Sequence, residues 1–281
     1  MAAKLLDGKD LAGRLKQQMK TEVEALARKG IQPGLAVVIV GDNPASRSYV
    51  TMKERDCAEV GIRSFEYALP AETPEQDLLE LIDTLNADRN VHGILVQLPL
   101  PRHFDETRVL ERIAPEKDAD AFHPQSAGKL LIGNPTFLPC TPAGVMALLQ
   151  DAGIDIAGKN CVVVGRSNIV GKPMALLLLQ AHGTVTVCHS RTADLAKVCA
   201  QADILVAAIG RAKMIGADYV KQGAVVIDVG INRDENGKMV GDVDFDAVVD
   251  KASYITPVPG GVGPMTRAML LANTLRAAGA R

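Results

Sequence analysis

The sequence contains no Cys-x-x-Cys pair, and its cysteines are odd in number. Such a set does not fit a disulfide framework. Most of these residues lie in apolar segments, so we expect reduced, packed thiols in a reducing compartment, which indicates a cytoplasmic protein. The five residues are Cys57, Cys140, Cys161, Cys188 and Cys199.

Long apolar runs and an excess of positive charge are also missing. No run approaches membrane-spanning length, and the first ten residues carry charges where a signal peptide needs an apolar core. The formal net charge of -2 favours neither nucleic acid nor an anionic membrane as a partner. The five histidines are scattered, so no metal site is expected. These features indicate a soluble globular chain, and 281 residues are enough for two domains.

The most informative stretch is residues 161–173, in which a short β-branched run stops at Gly165 and an apolar helix follows. The first N–H groups of a helix lack partners within it and, with the helix dipole, attract anions. Gly165 and Gly171 allow a ligand to approach the backbone closely. The spacing is G-x-S-x-x-x-G, which meets the usual dinucleotide fingerprint only in part, so a plain strand-to-helix turn is the alternative.

The next predicted strand favours a nucleotide, and NADP in particular. It ends in Ser190 and Arg191, where folds that prefer NAD place an acidic residue on the ribose hydroxyl. Arg166 adds a second cation in the preceding turn. A 2′-phosphate matches these charges, so the predicted cofactor is NADP.

Strands alternate with helices along the whole chain, which predicts an α/β protein of two domains with a cleft between them. The second domain is predicted to be a Rossmann-like doubly wound parallel sheet. The predicted boundaries are 1–139 together with a returning C-terminal helix, 265–281, for one domain and 140–264 for the other. Two segments are predicted to be irregular, a polar loop at 115–124 and a glycine- and proline-rich stretch at 255–264. Thr141 is predicted to cap the helix that follows it.

The helix predicted from about residue 45 to 60 carries a lysine inside an apolar arc. At about 100° per residue, the arc holds Tyr49, Val50, Lys53, Cys57 and Val60. Such a lysine either snorkels to water or points into a cleft, where partial desolvation lowers its pKa to a value useful for proton transfer. The Tyr-x-x-x-Lys pattern also occurs in short-chain dehydrogenases, but there the glycine-rich turn precedes the pair, whereas here it follows.

Taken together, the motifs of this chain resemble those of the bifunctional methylenetetrahydrofolate dehydrogenase/methenyltetrahydrofolate cyclohydrolase family, the FolD type. The resemblance covers essentially the whole chain. The motifs that carry it are Ser46-Arg-Ser-Tyr49-Val-Thr-Met-Lys53, Gly93-Ile-Leu-Val-Gln97-Leu-Pro-Leu-Pro101, Lys117-Asp-Ala-Asp120, Gly165-Arg-Ser-Asn-Ile-Val-Gly-Lys-Pro173, Val226-Ile-Asp-Val-Gly-Ile-Asn232 and Thr256-Pro-Val-Pro-Gly-Gly-Val-Gly-Pro-Met-Thr266.

The resemblance implies a role for each site residue. Lys53 would be the central catalytic residue, Gln97 would hold and tune it, and Tyr49 would stack on the folate. Asp120 would bind the pterin. The cofactor would be held by Gly165, Arg166, Ser167, Ser190, Arg191 and the backbone of Ile231. The substrate would contact Tyr49, Lys53, Leu98, Pro99, Asp120, Gly260, Gly261 and Val262.

The resemblance further implies that one cleft serves both the oxidation of 5,10-methylenetetrahydrofolate and the hydrolysis of the methenyl product to the 10-formyl compound. It also implies a homodimer, active in one-carbon metabolism and purine biosynthesis. Ala121 stands where the family usually has glycine, so this residue is expected to be strained or its loop altered. His123 is interpreted as a loop histidine rather than a catalyst.

Two other functions are alternatives to this one when only the sequence is considered. One is a related two-domain oxidoreductase, such as a shikimate or amino-acid dehydrogenase, but it gives no reason for the Gln97–Pro101 segment or the Pro-Gly-Gly loop. The other is a non-catalytic NADP sensor, which has no need of Lys53 in a cleft.

Overall fold

The computed structural model describes residues 2–280, and helices alternate with strands along them. The helices are α1 Gly8–Ala27, α2 Pro44–Val60, α3 Glu75–Ala87, α4 Glu106–Arg112, α5 Pro124–Leu131, α6 Cys140–Asp151, α7 Gly171–Gln180, α8 Leu195–Cys199, α9 Phe245–Val248 and α10 Val262–Gly279. The strands are β1 Lys4–Leu5, β2 Gly34–Val40, β3 Arg63–Leu69, β4 Gly93–Val96, β5 Asn160–Val164, β6 Thr184–Cys188, β7 Ile204–Ala207, β8 Val225–Asp228, β9 Asn232–Arg233, β10 Met239–Val240 and β11 Tyr254–Ile255.

The chain divides into two compact units. The N-terminal unit comprises Arg14–Cys140 with Arg267–Arg281, and the C-terminal unit comprises Thr141–Thr266 with Met1–Gly13. The segment up to Gly13 therefore groups with the C-terminal unit, whereas the sequence-based boundaries assign it to the other domain.

In the C-terminal unit, a six-stranded sheet has the order β1-β11-β8-β7-β5-β6, and all its strand pairs are parallel. Every residue of β7 and β8 is buried, as expected for continuous apolar runs in a sheet covered on both faces. Strand β5 lies between β6 and β7, so the order reverses there. The carboxyl ends of the strands at such a reversal form the usual ligand crevice. The predicted doubly wound α/β fold is confirmed.

In the N-terminal unit, a parallel three-stranded sheet has the order β3-β2-β4. Its central strand β2 is buried at all seven residues. The segment after α4 lies beside β4 through a parallel bridge between Ile94 and Asp118. This bridge places Asp120 just beyond the sheet, near the carboxyl end of β4.

Two local predictions are wrong, and one helix was not predicted. The predicted irregular stretch ends early because α10 already begins at Val262, and Pro264 is tolerated there since the first helical turn needs no N–H donor. Thr141 is not the helix cap but lies inside α6, and its hydroxyl pairs with that of Thr266 at 3.0 Å. Helix α5 follows directly on the polar loop and was not expected from its composition.

Ala121 has the positive φ expected of the glycine it replaces, 58°. A left-handed conformation costs a residue with a Cβ about 1–2 kcal/mol. The Ala121 methyl group is buried in a small cluster with Phe137 and Ala277. Burial of one methyl group returns about 0.8 kcal/mol, which offsets much of the strain.

Candidate active site

Lys53 lies on the buried face of α2. Its residue is 8% exposed, and Val50, Cys57 and Val60 of the same arc are more deeply buried still. The Lys53 Nζ donates a hydrogen bond of 2.8 Å to Gln97 Oε1. The predicted inward arc is therefore confirmed, and the snorkelling alternative is wrong.

Gln97 directly follows β4, and hydrogen bonds hold both its backbone and its side-chain amide group. Its backbone N–H donates to Val38 O, which continues the ladder with β2. Its side-chain Nε2 donates to Leu98 O at 2.6 Å. Because the nitrogen is bound in this way, the oxygen faces Lys53 and accepts from its amine.

The surroundings of Lys53 favour a neutral amine. Burial lowers the pKa of Lys53, the negative charge of Asp120 opposes this shift, and the positive charge of Arg267 adds to it. A lysine with a lowered pKa can accept a proton at neutral pH, which an exposed lysine does poorly. The site therefore holds a buried amine with a lowered pKa in a fixed position.

Among the charged groups around this amine, Asp120 has the largest effect on its pKa. Burial raises the pKa of Asp120, and the charge of Lys53 opposes the shift. The Cys140 thiol lies within hydrogen-bonding reach of this carboxylate and 3.3 Å from Ala119 O. Asn273 donates to Ala119 O at 2.8 Å, so α10 braces the backbone beside Asp120.

Two other residues of the Lys117–Asp120 motif, Lys117 and Asp118, make hydrogen bonds that stabilise the fold. Lys117 is buried, and its Nζ donates to Leu85 O and Asp88 O at the end of α3, each at 2.7 Å. Asp118 accepts from the Ser126 hydroxyl and from the backbone N–H of His123. His123 Nδ1 in turn accepts from Gln125 N–H, so this histidine at the end of the loop caps α5.

The other residues of this unit that are predicted to contact the substrate are Tyr49, Leu98 and Pro99, which lie near Lys53 or Gln97 in the sequence. Tyr49 is half-buried one helical turn before Lys53, and burial raises the pKa of its hydroxyl, with Arg267 opposing. Leu98 is half-buried and Pro99 exposed, immediately after Gln97.

In the C-terminal unit, a turn that begins at Gly165 joins β5 to α7, which is the strand–turn–helix order that the sequence predicts. Gly165 has φ 128°, and a Cβ there would lie 2.2 Å from Ala208 O at the end of β7. Ser167 Oγ accepts from the N–H groups of Val170 and Gly171 at the start of α7, which leaves its own hydrogen to donate outward. The turn is therefore closely packed against the sheet, with its polar side exposed.

Two arginines and a serine are exposed at the adjoining strand ends. Arg166 follows β5, and Ser190 and Arg191 follow its parallel neighbour β6. Arg191 N–H donates to His189 Nδ1, which fixes the bend of this loop. Parallel neighbours end at the same edge, so these polar groups suit a phosphate.

The other predicted cofactor and substrate residues of this unit lie on loops or, for Val262, at the start of α10. Ile231 is 46% exposed between β8 and β9. Gly260 accepts from Lys9 N–H, Gly261 is buried against Pro257 and Thr256, and Val262 begins α10.

Three residues of these surroundings were not found from the sequence. The sequence predicts Cys140 only as a packed thiol. Asp242 accepts from the loop after β7 and from Asn232, contacts that no local pattern reveals. Arg267 did carry a signal, because it is the first charged residue of an otherwise apolar helix.

The five cysteines are all buried and unpaired, as expected. Burial raises the pKa of Cys57 and of Cys199 to about 12, so these thiols stay protonated. Within residues 2–280, no three histidine, cysteine or acidic side chains gather into a candidate metal site. None of the helices described is both long and apolar enough to span a membrane.

Comparison with known proteins gives consistent matches along the chain. Residues 6–120 match a family model described as tetrahydrofolate dehydrogenase/cyclohydrolase, catalytic domain, and residues 139–281 match its NAD(P)-binding domain. The bifunctional protein FolD of Ruminiclostridium cellulolyticum is 61% identical over 99% of this chain and 98% of its own.

Solved structures agree over the full length. The FolD methylenetetrahydrofolate dehydrogenase/cyclohydrolase of Campylobacter jejuni has a TM-score of 0.98 and 53% identity, with all of both chains covered. The Trypanosoma brucei enzyme, complexed with NADP cofactor and inhibitor, has a TM-score of 0.96 and 42% identity over 100% of this chain and 98% of its own.

Proposed function

Since the chain belongs to the tetrahydrofolate dehydrogenase/cyclohydrolase family, we propose how its residues perform the two reactions that the family name joins. It is a bifunctional enzyme of one-carbon metabolism. With NADP it oxidises 5,10-methylenetetrahydrofolate to the 5,10-methenyl compound, and it hydrolyses that compound to 10-formyltetrahydrofolate.

The oxidation needs alignment rather than acid or base. NADP, when bound, supplies the acceptor for the hydride of the methylene carbon. The residues of the C-terminal unit that would hold it are the Gly165 turn, the Ser167 hydroxyl and the backbone at Ile231. Arg166, Ser190 and Arg191 would bind the 2′-phosphate, since their positive charge and hydroxyl donor suit a dianion.

The hydrolysis needs a base, and Lys53 supplies it. Water adds to the cationic methenyl carbon, and the C–N5 bond then breaks. One proton of the water ends on N5, and the other is released to solvent. We assign the first proton acceptance to the Lys53 amine, directly or through a second water. A cationic substrate beside this amine would itself favour the neutral form.

Gln97, Asp120 and Tyr49 support this step in different ways. Gln97 holds the amine, Asp120 accepts paired N–H donors of the pterin, and the Tyr49 ring stacks on the folate. The observation that carries the proposal is the buried Lys53 amine on Gln97 Oε1 at 2.8 Å. The test is to supply methylenetetrahydrofolate and NADP and to follow NADPH and methenyl absorbance together. NADPH formation with transient methenyl compound is expected, and persistent methenyl compound would refute the hydrolytic half.

Replacing Arg166 with Ala should separate the two nicotinamide cofactors. A charge-assisted hydrogen bond is worth about 1.5–3 kcal/mol, so the Kd for NADP should rise roughly 10- to 150-fold while that for NAD changes little. Fluorescence titration with each cofactor measures this, with the exposed Arg102→Ala as a control in the other unit. An equal loss for NADP and NAD would count against the 2′-phosphate assignment.

We further propose that the enzyme is a cytoplasmic homodimer whose 10-formyl product serves purine biosynthesis. A sheet edge in the N-terminal unit supports self-association, because among residues 2–280 only β2 pairs with β3, on one of its two sides. Arg63 N–H donates to Pro33 O and Leu69 O accepts from Gly41 N–H. Since backbone groups alternate in direction along a strand, those of Ser64, Glu66 and Ala68 point outward and can pair with a second copy.

Replacing Glu66 with Pro should therefore abolish the dimer without breaking the β2–β3 ladder. Proline removes one outward N–H and obstructs the edge. Sedimentation velocity should give half the mass of the parent protein, while Glu66→Ala should remain dimeric. A dimer that persists in the proline variant would rule out this edge.

A further inference from the structure

Asp120 lies in a turn that a side chain of α10 holds in place. It is the third residue of a β-turn formed by Asp118–Ala121, whose last N–H donates to its first carbonyl oxygen at 3.1 Å. The central peptide of this turn presents Ala119 O, which accepts from Asn273 Nδ2 at 2.8 Å and from the Cys140 thiol at 3.3 Å. These two hydrogen bonds fix the direction in which the central peptide points.

The direction of the central peptide distinguishes the two commonest types of β-turn. In a type II turn this peptide is flipped relative to type I, and the third residue must adopt a positive φ. Asp120 has a negative φ, so the turn is not of type II. Aspartate tolerates a positive φ better than most residues do, so its own preference is a weak barrier to a flip. A flip would turn the Asp120 side chain in another direction.

Asn273 is suited to prevent this flip. The residue is 8% exposed, and its amide nitrogen also donates to Leu138 O at 2.9 Å. Because both N–H groups are bound to main-chain oxygens, the amide cannot turn away without breaking two hydrogen bonds. The other three residues of the turn are buried, whereas Asp120 is partly exposed. The turn is therefore held by buried contacts and leaves Asp120 accessible.

We propose, resting on the substrate-binding role proposed above for Asp120, that Asn273 is a positioning residue for the folate. It holds the central peptide of the Asp118–Ala121 turn so that the Asp120 carboxylate accepts the paired N–H donors of the pterin. Paired hydrogen bonds to a carboxylate are directional, so rotation of the carboxylate weakens both of them at once. Asn273 acts through Ala119 O and contributes no group of its own to the pterin.

The experiment is a double-mutant cycle between Asn273 and Asp120. The readout is the Kd for tetrahydrofolate, which carries the same pterin ring as the substrate, measured by anaerobic titration calorimetry. Asp120→Ala should raise this Kd by roughly 10- to 150-fold, the range for hydrogen bonds to a charged group. Asn273→Ala should raise it roughly tenfold, because the carboxylate is kept but misdirected. Added to Asp120→Ala, the Asn273→Ala change should alter the Kd by less than about twofold, since its effect passes through the missing carboxylate.

Two further variants separate positioning from packing and stability. Asn273→Val also lacks the donor but fills the space of the side chain, so it should raise the Kd as Asn273→Ala does. Thr274→Val removes a buried hydroxyl from the next residue of α10, whose hydrogen bond to Leu270 O stays within the helix. It should lower stability but leave the Kd for tetrahydrofolate unchanged. The Kd for NADP should stay at the parent value in every variant, which reports a folded protein.

The outcomes distinguish this inference from the function on which it rests. An unchanged Kd for tetrahydrofolate in Asn273→Ala and Asn273→Val would overturn the positioning role. Equal fold-losses from Asn273→Ala with and without the Asp120 carboxylate would overturn it too, because Asn273 would then act independently of Asp120. An unchanged Kd in Asp120→Ala would instead refute the proposed contact between Asp120 and the pterin.

Discussion

Replacing Lys53 with Met should lower the cyclohydrolase rate by about 10²- to 10⁴-fold, the contribution typical of a positioned general base. Methionine has a similar length and no charge, so it fits the buried space that the lysine occupies. The loss should appear in kcat, because proton transfer belongs to the chemical step rather than to binding. Stopped-flow measurement of methenyl absorbance gives this rate directly.

The dehydrogenase activity of the same variant should fall far less, by about tenfold at most, because hydride transfer moves no proton to the protein. An exposed lysine replaced in the same way, Lys29→Met, should change neither activity. Full cyclohydrolase activity in Lys53→Met would refute the assignment of the base. An equal collapse of both activities would show instead that the amine holds the folate in place.

The position of this lysine could be predicted from the sequence because the signal is local. Four apolar or aromatic residues at helical spacing around one lysine define an inward face, and burial of Val50, Cys57 and Val60 confirms it. Its partner lies 44 residues away on another element, at the end of β4. No periodicity links Lys53 with Gln97, so their contact could be predicted only from the family resemblance.

Helix α5 could not be predicted from the sequence because tertiary contacts, rather than local composition, stabilise it. Helix α5 contains Gly128 and begins at a proline, and its own propensity is weak. It is held by the His123 cap, by the Ser126–Asp118 hydrogen bond and by burial of Leu130. None of these contacts follows from the composition of the segment.

The carboxylate of Asp242 is the strongest example of a contact without a sequence signal. It is completely buried, and it accepts from the N–H groups of Ile209, Gly210 and Arg211 and from Asn232 Nδ2, at 2.6 to 3.0 Å. These donors come from the loop after β7 and from β9, some 10 to 33 residues away. A single side chain thus organises the carboxyl edge of the sheet beside Ile231.

A second buried carboxylate supports the first. Asp228 accepts from the N–H groups of Gly230, Asp242 and Val243, and burial raises its pKa to about 6. A Cβ at Gly241 would lie 1.7 Å from Asp228 Oδ2, so only glycine leaves room for this carboxylate. In the motif of residues 226–232, Asp228 therefore stabilises the fold, and Ile231 is the proposed cofactor contact.

Replacing Asp242 with Ala should lower the free energy of unfolding by about 3–5 kcal/mol. The change leaves four partly buried donors without their acceptor, and each unpaired group costs about 1–3 kcal/mol before relaxation or entry of water reduces the sum. Asp242→Asn keeps one acceptor oxygen and should lose about half as much. Guanidinium denaturation followed by circular dichroism measures the loss, with the exposed Asp250→Ala as the matched control.

The same change should weaken the cofactor site more than the folate site, since Asn232 adjoins Ile231 and is held by this carboxylate. Amide hydrogen exchange in residues 209–211 should accelerate strongly, because these N–H groups lose their acceptor. The KM for NADP should rise, whereas the cyclohydrolase rate on supplied methenyl compound should stay within about twofold, since Lys53 and its neighbours are untouched. Unchanged exchange at 209–211 would mean that water replaces the carboxylate, and the expected loss of stability would then not occur.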